Sequence, residues 1–330
     1  MGNNYVYAWP LSNEIFFCSK SFPTFNLQND FLMKKWLPVI FLLFSLSVAA
    51  QKTDKHLQNE ITSLIKGFNG DVGVYVYDVS QNKIAAVNAD TIFPTASMVK
   101  VPILIAIMHK IHNGDLTYHQ EMLFTDSVRY SEGEEILASF KDSQKIALNV
   151  LMMLMMSMSD NGASLWLQGL AGGGTQINKY LDSLGMKDTR VNSRTEGRKE
   201  NYHQYGWGQT TPREMATLMK MIVDNKIIDK QISERMLRLM SRQFWDEDAI
   251  SQIPPNIFVA DKSGAVDQTR DEVLYVNGPH PYIFCICTKN NKDTSWETNN
   301  EAWVLTRKLS SLLWNYFNPK SNWQPSEYLK

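Results

Sequence analysis

Three short stretches of this 330-residue chain carry hydroxyl, amine and amide side chains at spacings suited to acyl transfer: Ser97-Met98-Val99-Lys100, Ser159-Asp160-Asn161 and Lys262-Ser263-Gly264. A serine hydroxyl is a weak nucleophile at neutral pH and needs a base beside it. A lysine serves when burial and a neighbouring cation keep its amine neutral. Ser97 and Lys100 open an apolar run, so a helix there sets them on one face, one turn apart. The helix N-terminus adds backbone N–H groups that favour developing negative charge. A second match to the same spacing, Ser80 to Lys83, falls in a predicted hairpin turn with no helix to align it. A Lys-Ser-Gly at the end of a strand offers a fixed charge, a hydroxyl and an open backbone, which together dock an extended ligand bearing a carboxylate. S-x-x-K arises about once by chance in a chain of this size, S-D-N roughly once in twenty such chains and K-[ST]-G roughly once in six, so the weight lies in their joint occurrence.

The elements that must position these residues follow from periodicity. Apolar residues from Lys55 to Ile65 fall at helical spacing, Asp71 to Asp78 alternates as a strand, and Ser80-Gln81-Asn82 turns the chain into a returning strand over Lys83 to Val87. From about Thr95 to Met240 the pattern is helical. Thr211-Pro212-Arg213-Glu214 combines an N-cap hydroxyl, a proline at the first helical position and a glutamate placed for a capping box. Ser233 to Met240 is amphipathic. Ile146 to Met158 is apolar nearly all round and rich in methionine, which predicts a buried central helix ending at Ser159. Strand signals return over Asn256 to Asp261, Val273 to Val276 and Pro281 to Thr288, and Glu301 to Phe317 closes the chain as a helix. The expected fold class is α/β (α+β). An antiparallel sheet is built by both chain ends, 51–94 and 241–330, flanked by N- and C-terminal helices, with an all-helical insertion over 95–240 and the active cleft between the two parts.

With 33 basic and 34 acidic side chains the formal charge is −1, too little to attract nucleic acid, so a small-molecule partner is expected. Neither a metal nor an organic cofactor is expected. His109 and His112 lack a third ligand nearby in sequence, and Gly172-Gly173-Gly174 lacks the lysine and hydroxyl of a phosphate loop. Cys285 and Cys287, two apart in a strand-like run, read as small buried side chains rather than a disulfide. Residues 1–32 show no clear period and read as an upstream extension. Met33-Lys34-Lys35, the apolar run Trp36 to Leu46 and Val48-Ala49-Ala50 before Gln51 then read as a signal peptide over 33–50. No cysteine follows for lipid attachment. A periplasmic or secreted monomer, with no stable membrane insertion after cleavage, is the expectation.

In order and separation, 62 positions from Ser97 to Ser159 and 103 more to Lys262, the three motifs resemble those of class A β-lactamases within the penicillin-recognising serine hydrolases. The resemblance covers about residues 54–318. Phe93-Pro94, Gly162-Ala163, Thr210-Thr211-Pro212 and Ala260-Asp261 support it. It implies a β-lactamase/transpeptidase-like fold and hydrolysis of a β-lactam amide, in antibiotic resistance, through an acyl-serine. By resemblance Ser97 is the nucleophile, Lys100 handles its proton, Ser159 relays a proton to the departing nitrogen, and Lys262 supplies charge. Asn161 holds the substrate side chain and Ser263 its carboxylate, with Gly264 in the same strand. The N–H groups of Ser97 and Ala265 form the oxyanion hole, Asp160 holds its loop, and Arg270 supports the carboxylate. Arg194-Thr195-Glu196 matches the first half of a loop motif whose glutamate activates the deacylating water. In the second half Glu200 stands where the asparagine is usual and Asn201 comes one later, so Glu196 is the implied base with Glu200 as the alternative. A D-alanyl-D-alanine peptidase and a slowly deacylating penicillin-binding protein share the same triplet. N-terminal sequencing of the mature protein is expected to begin near Gln51, and a start at Gly2 would overturn the reading of 1–50.

Overall fold

A computed structural model describes residues 51–129 and 135–329. The expected extension and signal segment lie outside the described residues. Residues 51–330 form one compact unit.

The chain enters through β1 (Lys52–Thr53), α1 (Lys55–Ile65) and the hairpin β2 (Asp71–Asp78) and β3 (Lys83–Val87), then β4 (Phe93–Pro94). Asp54 caps α1 by accepting from Leu57 N at 3.1 Å. A tight 3-10 turn, Ala96–Val99, runs into α2 (Lys100–His112). The middle continues through β5 (Glu121–Leu123), β6 (Lys145–Ala147), α3 (Leu148–Ser157), α4 (Asn161–Leu170), α5 (Gly173–Ser183), β7 (Arg190–Val191), α6 (Lys199–Tyr205), β8 (Gly208–Thr210), α7 (Pro212–Val223) and α8 (Lys230–Met240). Three more strands, β9 (Phe258–Val266), β10 (Thr269–Asn277) and β11 (Tyr282–Lys289), precede the terminal helix α9 (Glu301–Phe317). The main sheet has the order β1-β3-β2-β11-β10-β9, antiparallel except where two residues of β1 run parallel to β3. The insertion is not all helical: it holds the small sheet β5-β6 and two strands of a second, β4-β8-β7, whose first strand just precedes it. Bridges of two or three residues have no period to read, which is why sequence pattern shows only the helices there.

Alternation along the strands sorts the core into two layers. Val74 pairs with Ile286 and Val76 with Phe284, and these face α1 and α9 through Leu57, Ile61, Leu305, Leu309 and Leu313. Tyr75 pairs with Cys285 and Tyr77 with Ile283, facing the insertion. Cys285 and Cys287 are buried on that face, their sulfurs 3.7 Å apart, as free thiols. The methionine-rich α3 lies inside the same layer, with Met152, Met155 and Met156 fully enclosed. A sheet apolar on both faces stays fixed only when both are covered, and here they are.

Two local details depart from the expected elements. Strand β9 does not stop at Asp261 but carries Lys262-Ser263-Gly264 on to Val266, because a two-residue turn with Asp267 at φ +39° leads straight into β10 with Val266 opposite Thr269. Buried charges at Asp261 and Lys262 interrupt the apolar alternation from which the strand would be read. At α7, Thr211 caps Glu214 N at 3.2 Å, yet Glu214 does not close the box. Its carboxylate instead accepts from Lys187 N and Thr189 N, both at 2.6 Å, and from Asp188 N. With the Thr189 hydroxyl at 2.7 Å as a fourth, these converging donors outweigh one.

Strand β9 is the sheet's edge, and its outer rim lies against the turn that carries Ser97. A Cβ on Gly264 would stand 2.6 Å from Thr95 O and 2.9 Å from Ser97 N, so only glycine admits this approach. Gly264→Ala is expected to destabilise the protein by about 1–3 kcal/mol, as overpacking does, and to displace the Ser97 turn. An unchanged thermal midpoint would show that the strand does not press on the turn.

Candidate active site

Lys100 is wholly buried, at 0% exposure, and its amine sits at the crossing of four groups. It lies 2.9 Å from Ser97 Oγ, 3.0 Å from Ser159 Oγ and 2.9 Å from Asn161 Oδ1, and it donates to Ser159 O. The backbone carbonyl and the amide oxygen can only accept. A neutral amine has two N–H groups for them, which leaves its lone pair facing the two hydroxyls. Burial first, and then the charge of Lys262, hold Lys100 well below the usual lysine range, while Asp160 and Glu135 pull the other way.

Unusual backbone makes this crossing possible. Ala96 takes φ +41° just before Ser97, and Ser159 takes φ +57° just after α3. Non-glycine residues in this region cost of order 1–3 kcal/mol each and persist only where the surroundings impose them. The twist at Ser159 turns both its hydroxyl and its carbonyl toward Lys100. Asp160 then caps α4 through Ala163 N at 2.8 Å and accepts from Leu137 N at 2.9 Å, tying in the 135–140 segment. In that segment Glu135 accepts from Gly162 N at 3.0 Å and from the Asn161 side chain. Burial and the charge of Asp160 raise its pKa.

Lys262 is also fully buried, and its amine donates to Ser263 O at 2.7 Å. Burial pulls it down to about 8, against the attraction of Asp261 and Glu272. Those two carboxyls share one face of the β9–β10 pair, where neither oxygen of Asp261 has a hydrogen-bond partner. Burial pushes Asp261 up to about 7 and Glu272 well above its usual range, so the pair holds a proton.

A cavity of about 630 Å³ opens beside Ser97. Ser97, Ser159, Ser263, Gly264 and Ala265 line it, so three of the sequence motifs do meet at one place. Lys100, Asn161 and Lys262 stand behind this lining. Arg270 does not reach the cavity. At 1% exposure, it donates to the carbonyls of Asp267, Thr269 and Ser295 and lies against the rings of Trp296 and Trp303. Glu196 and Glu200 are exposed and outside the lining. Their loop is pinned on either side by Gln168 to Ser193 and by Arg198 and Asn201 to Gln209, which leaves Glu196 facing outward. Glu135, Trp245, Trp296 and Arg307 are parts of the site that motif reading does not single out. For the last, Trp303 and Arg307 at helical i, i+4 spacing are a legible signal of a shared face.

A family model described as the β-lactamase enzyme family matches residues 55–317. The chain belongs to the β-lactamase enzyme family. It is a β-lactam hydrolase by that membership, and the likeness to class A enzymes read from the motifs holds. β-Lactamase VEB-1 of Pseudomonas aeruginosa is 22% identical over 298 residues, 87% of this chain and 98% of that protein. Among solved structures, PBP-A superposes with a TM-score of 0.72 at 22% identity, over 82% of this chain and 98% of that one. A β-lactamase from Sphaerobacter thermophilus gives 0.71 at 20%, over 81% and 98%. These superpositions bear out the β-lactamase fold.

If neutral Lys100 is the reacting form, acylation rises with pH through its lowered pKa, and its neighbours set where. Lys262→Met removes a positive neighbour and should move the acid limb of the acylation rate to higher pH. Glu135→Gln removes a negative one and should move it to lower pH. Stopped-flow acylation across pH checks both signs, and two shifts in the same direction would refute the electrostatic assignment.

Proposed function

We propose that the protein opens the β-lactam amide through an ester on Ser97, with water as the final acceptor. The observation that carries this reading is one buried amine within reach of two hydroxyls, Ser97 Oγ at 2.9 Å and Ser159 Oγ at 3.0 Å. Ser97 Oγ attacks the ring carbonyl and passes its proton to Lys100. The N–H groups of Ser97 and Ala265 receive the developing oxyanion, and both residues line the cavity. The proton moves on through Ser159 to the ring nitrogen, and the C–N bond breaks. Each transfer spans one hydrogen bond, so no group has to travel.

Water must then free the serine, and this is the slow step in the reading. A positioned general base is worth about 10² to 10⁴ in rate, and the loop glutamates face away from the cavity. The same exposure favours a second reading, a penicillin-binding protein that releases its adduct slowly. Residence outside the cytoplasm after cleavage at Ala50, as a monomer acting in antibiotic resistance, extends the proposal. The basic, apolar and small-residue succession over 33–50 supports the export part.

Incubation with a fluorescent penicillin, followed by intact mass, should give an adduct that Ser97→Ala abolishes together with turnover of a chromogenic cephalosporin. Glu196→Gln should leave the adduct lifetime within about twofold, because its carboxylate does not reach the ester. Turnover that survives Ser97→Ala would end the acyl-serine proposal, and a lifetime lengthened about 10²-fold or more by Glu196→Gln would restore that residue as the base.

A further inference from the structure

A second cavity, of about 710 Å³, lies at the end of the sheet away from Ser97. The turn between β10 and β11 gives it Pro279 and His280, and the approach to β9 gives it Pro254, Asn256 and Ile257. The Ser97 cleft is lined by Ser263, Gly264 and Ala265, near the other end of these strands. The nine residues of β10 that span the two turns set them about 25 Å apart, at about 3.3 Å per residue. The remaining wall follows α9, where every residue from Asn318 to Trp323 lines the cavity. The match to the β-lactamase family ends at residue 317, so this wall lies outside the region the family shares.

The cavity is held in shape by its own contacts. His280 Nε2 meets Asp78 Oδ1 at 2.9 Å, and its ring stacks on Phe317 at 5.0 Å, which stacks in turn on Tyr282 at 4.7 Å. Trp314 lies over Gly278, where a Cβ would stand 3.2 Å from the indole, and donates its N–H to Ser321 Oγ at 3.2 Å. The same oxygen accepts from Trp323 N at 3.4 Å. Further on, Gln252 fastens the tail by donating to Leu329 O at 2.8 Å.

What the lining leaves free defines its ligand. Trp323 is half-buried, and its indole N–H has no partner among the described residues. Asn256 and Asn322 are exposed, with side-chain amides equally unpartnered among the described residues. No carboxylate lines the cavity, and its sole lysine or arginine, Lys320, is exposed. Such a lining offers no fork for an anion and no acidic oxygen for a metal. Rings beside amides that both donate and accept suit a molecule with one apolar face and a rim of uncharged hydroxyls, which is a pyranose sugar. The volume falls within the range of about 300–1,000 Å³ usual for ligand cavities.

We propose that this cavity binds a neutral oligosaccharide, with a pyranose ring packed on Trp323 and its hydroxyls held by Asn256 and Asn322. A chain seated there leaves the Ser97 cleft open, and so tethers the protein to a polysaccharide while the cleft works.

Titration calorimetry with cellotetraose, maltotetraose and the N-acetylglucosamine tetramer tests the site, with tryptophan emission followed in parallel. At least one sugar should bind saturably and shift the emission. Trp323→Ala should weaken that binding about tenfold or more. Asn256→Ala and Asn322→Ala should weaken it about threefold to tenfold each and, because both side chains are exposed, they report binding apart from folding. Ser97→Ala should bind the sugar as the unmutated protein does, which separates this site from the proposed acyl transfer. No binding of any tetramer, binding indifferent to these three substitutions, loss of binding in Ser97→Ala, or binding of a proline-rich peptide in place of sugar would each overturn the proposal.

Discussion

The site depends on keeping one amine dry. Burial and the nearby charge of Lys262 hold the Lys100 amine well below the usual lysine range, which is the condition that the proposed proton transfer from Ser97 needs. In water the same lysine would stay protonated, and Ser97 would be an ordinary helix hydroxyl. Everything that walls off Lys100 therefore contributes to chemistry: the twisted backbone at Ala96 and Ser159, the core of α2 and α3, and the edge strand β9 pressed against the nucleophile's turn. Two acceptor-only oxygens then decide which way the amine points.

Enclosing two lysines creates a second demand, since buried charges must be compensated nearby. On the face of β9 and β10 opposite Lys262 lie Asp261 and Glu272, and burial raises both carboxyls so that the pair keeps a proton rather than standing as two anions. Full ionisation of both would hold Lys262 firmly charged and strengthen its hold on a single protonation state. With one proton retained, the region sits near balance, and the lysine is pulled down to about 8. Arg270 meets the same demand differently, by donating to three carbonyls and lying against indole rings.

Much of this architecture is legible in the chain because the periods are strong. The hairpin over 71–87, the terminal helices and the buried methionine helix follow from alternation and helical spacing, and the nucleophile, its lysine and the Ser159 loop follow from three short motifs. Other features are not legible, for physical reasons. The end of β9 is hidden because buried Asp261 and Lys262 look like a strand's polar terminus. The place of Glu196 depends on how Gln168 and Gln209 anchor its loop, and those contacts join residues far apart in sequence. Arg270 and Arg307 have the same side chain, and only packing decides that the first braces a wall while the second faces the cavity.

The edge strand has a further consequence for how the protein comes into being. Ser97 and Lys100 lie in the first third of the chain, yet Gly264, which seals their turn, arrives only with the last quarter. Contacts this distant form late, since a long loop must close before they are made. Until then the lysine remains hydrated and the serine inert. On the proposed mechanism the nascent polypeptide thus travels with Ser97 disarmed, and reactivity switches on when the sheet is completed.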